Sequence, residues 1–142
     1  MKYKHLKKRI KKNEGFSKKP YKDQLGNLTI GYGHLIKKKE TYFFKKSISK
    51  KKLDNLFESD FNKAAYDYKN NFLKYKLKKL EEELLIEMIF QLGIKNVLGF
   101  KKMITNIINK KNYLAALEMM NSLWYKQTPG RVENLIKNYL KQ

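Results

Sequence analysis

Cysteine is absent from this chain, which excludes a disulfide framework and any thiolate metal site. Histidine occurs twice, at positions 5 and 34. With those two far apart and no carboxylates clustered at metal-ligand spacing, no metal ion and no other cofactor is expected. The basic amino terminus MKYKHLKKRIKK is followed by no apolar segment, and nowhere does an apolar run approach the roughly twenty residues a membrane span needs. Neither a secretion signal nor a spanning helix is expected.

Acidic residues are scarce. Thirteen of them face 33 basic ones, for a formal charge of +20 over 142 residues. One domain is expected at this length, burying roughly two-thirds of the surface its unfolded chain exposes. Between residues 1 and 39 the only acidic side chains are Glu14 and Asp23. Ordinary surface carboxylates would not be so sparse.

The placement of those two gives them a chemical meaning. Tyr3, Leu6 and Ile10 recur at three-to-four-residue spacing, which predicts an amphipathic helix ended by Asn13, Glu14 and Gly15. A hairpin should follow, with strands over Tyr21 to Gln24 and Leu28 to Tyr32 around the turn-prone Gly26 and Asn27. Asp23 on the first strand would then lie opposite Thr29 on the second, with Glu14 pointing toward both. Cutting a glycosidic bond requires a protonated carboxyl for the leaving oxygen and an ionised carboxylate on the opposite face. Glu14 and Asp23 can supply that pair.

The blocks Asn13-Glu14-Gly15, Tyr21-Lys22-Asp23, Thr29 through Leu35, Phe90-Gln91-Leu92-Gly93, Gly99-Phe100 and Trp124 through Arg131 together resemble the phage-type lysozymes of the T-even bacteriophages, glycoside hydrolase family twenty-four. The resemblance runs in the family's order over nearly the whole chain. It implies that Glu14 is the proton donor, Asp23 the second catalytic carboxylate, and Thr29 the hydroxyl that helps hold the attacking water. It further implies inversion, for which the carboxyl groups stand about 6.5–9.5 Å apart. Leu35 and Phe90 match sugar-contacting positions, whereas Met103 and Glu118 replace shorter polar residues of the family's best-known member. By the same resemblance His34 pairs with Asp60 and pins the small lobe, and Gln91 belongs to the support of the site. The matching arginine, Arg131, pairs with the catalytic glutamate. An arginine in so lysine-rich a chain fits a fork of donors for a carboxylate, although a surface arginine at a helix start after Pro129-Gly130 is the plainer alternative.

The fold class implied is α+β, mainly helical and two-lobed, with a small β-hairpin lobe and a larger helical lobe in one lysozyme domain over residues 1–142. The small lobe spans about 13–48. Ser49 reads as an N-cap, and Leu53, Leu56, Phe57 and Phe61 predict a connecting helix over about 49–68. The helical lobe takes in about 69–142 together with the N-terminal helix 1–12, with Leu84 to Leu92 as its buried centre and helical segments over 97–108, 113–123 and 131–140 around it. Tyr42, Phe43 and Phe44 read as core or lobe-edge packing, with sugar stacking the alternative.

The resemblance implies a muramidase of the endolysin type, cleaving the β-1,4 bond between N-acetylmuramic acid and N-acetylglucosamine in peptidoglycan. Such an enzyme is expected to act as a monomer. It would wait in the cytoplasm of its bacterial host until another protein lets it reach the wall, without inserting stably into the membrane itself. The +20 charge fits an anionic wall surface. A nucleic-acid-binding protein is the rival reading, but the basic residues are spread over nearly every segment and no recognition motif is present, so no specific nucleic-acid partner is expected. A third reading is a non-catalytic wall-binding module, which the competent side chains at all three matched catalytic positions disfavour.

Overall fold

The computed structural model describes residues 2 to 141, and its contacts divide the chain into two compact units, one ending at Lys63 and the other beginning at Ala64. The architecture is mainly helical with one small antiparallel sheet, the expected α+β class. Among the described residues no helix is long and apolar enough to cross a membrane.

The first unit begins with α1 (Lys4–Glu14), which buries Leu6 and Ile10 as the spacing predicts. Gly15 ends it at φ +72°, its N–H bonded to the Lys11 carbonyl, a conformation that costs a residue without Cβ nothing. The sheet follows as β1 (Ser17–Lys22), β2 (Leu28–Gly31) and β3 (His34–Leu35), in that spatial order. Two expectations are corrected here. The first strand starts at Ser17 and stops at Lys22, so Asp23 lies in the loop beyond it. Thr29 pairs with Tyr21, and Asp23 has no strand partner. The cause is local: the Asp23 carboxylate accepts from the backbone N–H groups of Leu25 and Asn27, which turns the chain before the ladder can continue.

Behind the sheet lies a cluster of Ile30, Phe43, Ile48 and Leu53, with Ile36 and Leu56 packed on it. Phe43 comes from the short helix α2 (Tyr42–Lys45); Tyr42 and Phe44 on either side of it are exposed. Ser49 caps α3 (Lys50–Phe72) by accepting from the Lys52 N–H at 3.1 Å. Tyr3 packs on Phe61 with ring centroids 5.4 Å apart, and Lys7 donates to Glu58 at 2.7 Å, so α1 is tied to α3 by apolar and ionic contacts together.

The second unit is helical throughout. Its central helix α4 (Lys79–Leu92) buries Leu84, Leu85, Ile86, Met88 and Ile89, as the near-continuous apolar run implies. Its first turn is closed by Glu81, which accepts from the Lys78 N–H at 2.8 Å and from Lys110 Nζ at 2.7 Å. The remaining segments are more broken than expected. Residues 97–108 divide into α5 (Ile94–Leu98) and α6 (Lys101–Ile108) at Gly99 and Phe100. Residues 113–123 divide into α7 (Asn112–Met120) and α8 (Leu123–Gln127), where Ser122 Oγ caps the second helix by accepting from the Tyr125 N–H. The chain closes with α9 (Pro129–Tyr139), which begins at a proline whose missing N–H costs nothing at that position.

Candidate active site

Glu14 is the last residue of α1 and is half-buried. Gly33, in the turn between β2 and β3, lies directly against it. A Cβ on Gly33 would coincide with the Glu14 carboxylate, within 2.8 Å of its Cδ. That close approach, at φ +77°, is available only to glycine. The turn therefore presses backbone against one face of the carboxyl group.

Asp23 is fixed by its own loop. Oδ1 accepts from the Leu25 N–H at 2.9 Å and the Asn27 N–H at 2.8 Å, while Oδ2 faces the Asn27 side-chain amide at 3.4 Å. Three donors on an acceptor-only group define its orientation. The Asn27 carbonyl in turn accepts from Thr29 Oγ1 at 2.9 Å. Thr29 is only 2% exposed, and committing its proton to Asn27 leaves its hydroxyl lone pairs as acceptors.

Tyr21, the ladder partner of Thr29, ties the two carboxylates together electrostatically. Its hydroxyl pKa is pushed up, first by burial and then by the negative charges of Glu14 and Asp23. A phenol in the field of both carboxylates was not among the sequence candidates. The motif Tyr21-Lys22-Asp23 carried the signal, since it sets a phenol two residues before the candidate carboxylate, at the end of β1 where the chain turns.

His34 and Asp60 are brought together: Nδ1 lies 2.8 Å from Asp60 Oδ2. The structure adds Glu40, whose carboxylate approaches Nε2 at 3.0 Å and accepts from the Lys37 N–H at 2.8 Å. Burial works against a charged imidazole here, yet the hydrogen bonds to Asp60 and Glu40 outweigh it, and the His34 pKa is raised. Glu40 is lowered, because the Lys37 amide and His34 outweigh its partial burial. An acid directly after the Lys37–Lys39 run was the available hint. Leu35, the other residue of β3, is well exposed.

The other candidates belong to the second unit. Gln91 accepts from Trp124 Nε1 at 3.0 Å and donates to Thr128 Oγ1 at 3.4 Å, joining the end of α4 to both ends of α8. Phe90, beside it, is half-buried. Arg131 in the first turn of α9 lies 3.7 Å from Glu87, a fully buried carboxylate of α4 that sequence reasoning missed. Met103 and Glu118 line one groove of about 570 Å³ with Asn96, Phe100 and Lys102. Met103, 1% exposed, forms its floor, and Glu118 is half-exposed. Among the described residues no group of three or more His, Asp or Glu could hold a metal ion.

Comparison with known proteins bears on the same residues. The family model described as phage lysozyme matches residues 11–138, a span that includes every candidate above. Two relatives from Dictyostelium discoideum, probable T4-type lysozymes 1 and 2, are each 34% identical over 92% of this chain and 91% of their own length. The pre-baseplate central spike protein Gp5 of Enterobacteria phage T4 is 28% identical over 89% of this chain, which corresponds to 26% of that longer protein. With a loop-fixed aspartate and a helix-end glutamate inside the matched span, and both Dictyostelium relatives aligned nearly end to end, the chain belongs to the phage lysozyme family.

Proposed function

We propose that this protein is a peptidoglycan hydrolase that cleaves the β-1,4 bond between N-acetylmuramic acid and N-acetylglucosamine with inversion. Glu14 gives its proton to the glycosidic oxygen as the bond to the anomeric carbon breaks. Water adds to that carbon from the opposite face and passes a proton to Asp23, while Thr29 accepts a hydrogen bond from the same water. The products are a free sugar hydroxyl on one side and a hemiacetal of inverted configuration on the other. Proton and water balance without a cofactor. Leu35, Phe90, Met103 and Glu118 serve as sugar contacts, and His34, Asp60, Gln91 and Arg131 hold the surrounding elements in place within one lysozyme domain.

The observation that carries this reading is Asp23 held by three loop donors, with Tyr21 sensing both Asp23 and Glu14. An oriented, ionised carboxylate and a nearby helix-end glutamate are the minimal parts of the reaction. Mass spectrometry of purified peptidoglycan after digestion tests the reaction class. Muropeptides with reducing ends support hydrolysis; anhydro-muramic ends mean a lytic transglycosylase and sink the proposal. Proton NMR of the first-formed product tests the stereochemistry, since inversion yields the α anomer and a covalent intermediate on Asp23 yields the β anomer.

A further inference from the structure

The helical unit carries an apolar face with no cover among the described residues. On α7, Tyr113, Leu114, Leu117 and Met120 point outward while Ala115, Ala116 and Met119 are buried, so both sides of this helix are apolar. Leu123 at the start of α8 extends the outward stripe; Tyr113 is 77% and Leu123 67% exposed. The stripe contains one polar group, the Tyr113 hydroxyl, and so offers almost nothing to read a sugar or a peptide by hydrogen bonding.

The charge around it is mostly positive, the exceptions being Glu118 on α7 and Glu133, which accepts from the Tyr125 hydroxyl of α8 at 2.8 Å. From Ile94 to Thr128 the chain has six lysines and one acidic residue, Glu118. Lys111 stands two residues before Tyr113 and Lys126 one helical turn after Leu123, both exposed, so cations bracket the stripe. A second copy of a +20 chain would be repelled. A nucleic acid would satisfy the lysines but not three leucines and a methionine. An anionic bilayer satisfies both, because apolar side chains enter the headgroup boundary while nearby lysines meet lipid phosphates.

We propose that the α7–α8 face docks peripherally on anionic phospholipid surfaces, with Leu114, Leu117 and Leu123 entering the interface and Tyr113 at headgroup depth. The mode is surface adsorption without crossing. It does not depend on the hydrolytic reading, and it would place a wall hydrolase at the membrane face of its substrate.

The test is co-sedimentation of the full chain with vesicles containing phosphatidylglycerol and with vesicles of phosphatidylcholine alone. The wild type should prefer the anionic vesicles and stay partly bound at about 1 M salt, where screening leaves a reach of only about 3 Å. A Leu114→Gln, Leu117→Gln, Leu123→Gln variant changes exposed positions only and should keep its melting profile. It should bind at least about tenfold more weakly and be released fully by salt. Lys111→Gln with Lys126→Gln should weaken binding at low salt alone. Equal binding by wild type and the triple variant would reduce the effect to charge and overturn the proposal, as would no binding by the wild type. Concentration-dependent self-association in ultracentrifugation, lost in the triple variant, would assign the face to a second copy and overturn it equally.

Discussion

At the scale of single residues, Glu14 and Asp23 differ in what surrounds them, and the roles proposed for them rest on that difference. Asp23 accepts three hydrogen bonds, which fix the orientation of its carboxylate. Glu14 has glycine backbone against its carboxylate and sits half-buried at a helix end. Replacing Glu14 with Gln keeps the size and removes the transferable proton, so clearance of peptidoglycan suspensions should fall by about 10²–10⁴ with the fold intact. Activity within a few-fold of wild type would take Glu14 out of the mechanism. The same variant has a readout that needs no substrate. Tyr21 loses one of the charges that raise its pKa, so its resonance in labelled-tyrosine NMR should titrate at lower pH than in wild type, as it should in Asp23→Asn. Burial, the largest cause, remains, so the value stays above that of a free tyrosine.

At the scale of elements, two glycines separate backbone strain from steric conflict. Gly15 and Gly33 both have positive φ, but a Cβ meets nothing within 4 Å at Gly15 and meets Glu14 at Gly33. Gly15→Ala should cost about 1–3 kcal/mol of stability and keep most activity. Gly33→Ala should also displace the Glu14 carboxyl and, if Glu14 is the proposed proton donor, lose activity at temperatures where it is fully folded. Comparable activity in the two variants, measured well below both melting points, would dissociate Gly33 from the site.

The imidazole joining β3, Glu40 and α3 gives a pH signature of definite sign. Because the His34 pKa is raised on folding, its contribution is complete below the ordinary value of about 6.5 and is lost as pH rises through the raised one. Glu40 is lowered, so its share is complete above its ordinary value of 4.5 and is lost as pH falls through the lowered one. Stability from His34 and Glu40 peaks between those limits. The melting temperature should decline as pH rises above about 6.5, and His34→Asn should flatten that slope while costing about 1–3 kcal/mol at about pH 6. An unchanged slope would trace the pH dependence to another group.

Much of this level was legible in sequence. The spacing of Leu6 and Ile10 set α1, Ser49 marked the start of α3, and the apolar run set α4. The hairpin register was not legible, because Asp23 bonds its own loop and so leaves the strand, shifting Thr29 onto Tyr21. Glu40 and Glu87 were hidden for another reason. Each matters through a partner, His34 or Arg131, whose proximity is set by how the chain folds back and which the residues next to the acid do not name.

At the scale of the whole molecule, a net charge of +20 spread over 31 lysines acts at long range and is open to screening. Degradation of intact walls should weaken as salt shortens the screening length from about 10 Å at 0.1 M toward about 3 Å at 1 M. Cleavage of a small neutral chito-oligosaccharide should change little, since its encounter owes nothing to net charge. Parallel loss on both substrates would place the salt effect on the folded state or the site, and the charge would have no role in wall targeting.

The sheet has a further consequence for behaviour at high concentration. With spatial order β1-β2-β3, two of its three strands are edges, and an uncovered edge is a template on which other chains can assemble into fibrils. Each is blunted differently. β1 carries Lys18, Lys19 and Lys22 around Pro20, which can offer no N–H to an incoming strand. β3 is only two residues long and runs almost at once into Lys37, Lys38 and Lys39. A like-charged copy approaching either side meets a row of ammonium groups before it finds a free carbonyl, so the native fold should remain colloidally dispersed at concentrations where a neutral sheet of this size would seed aggregation.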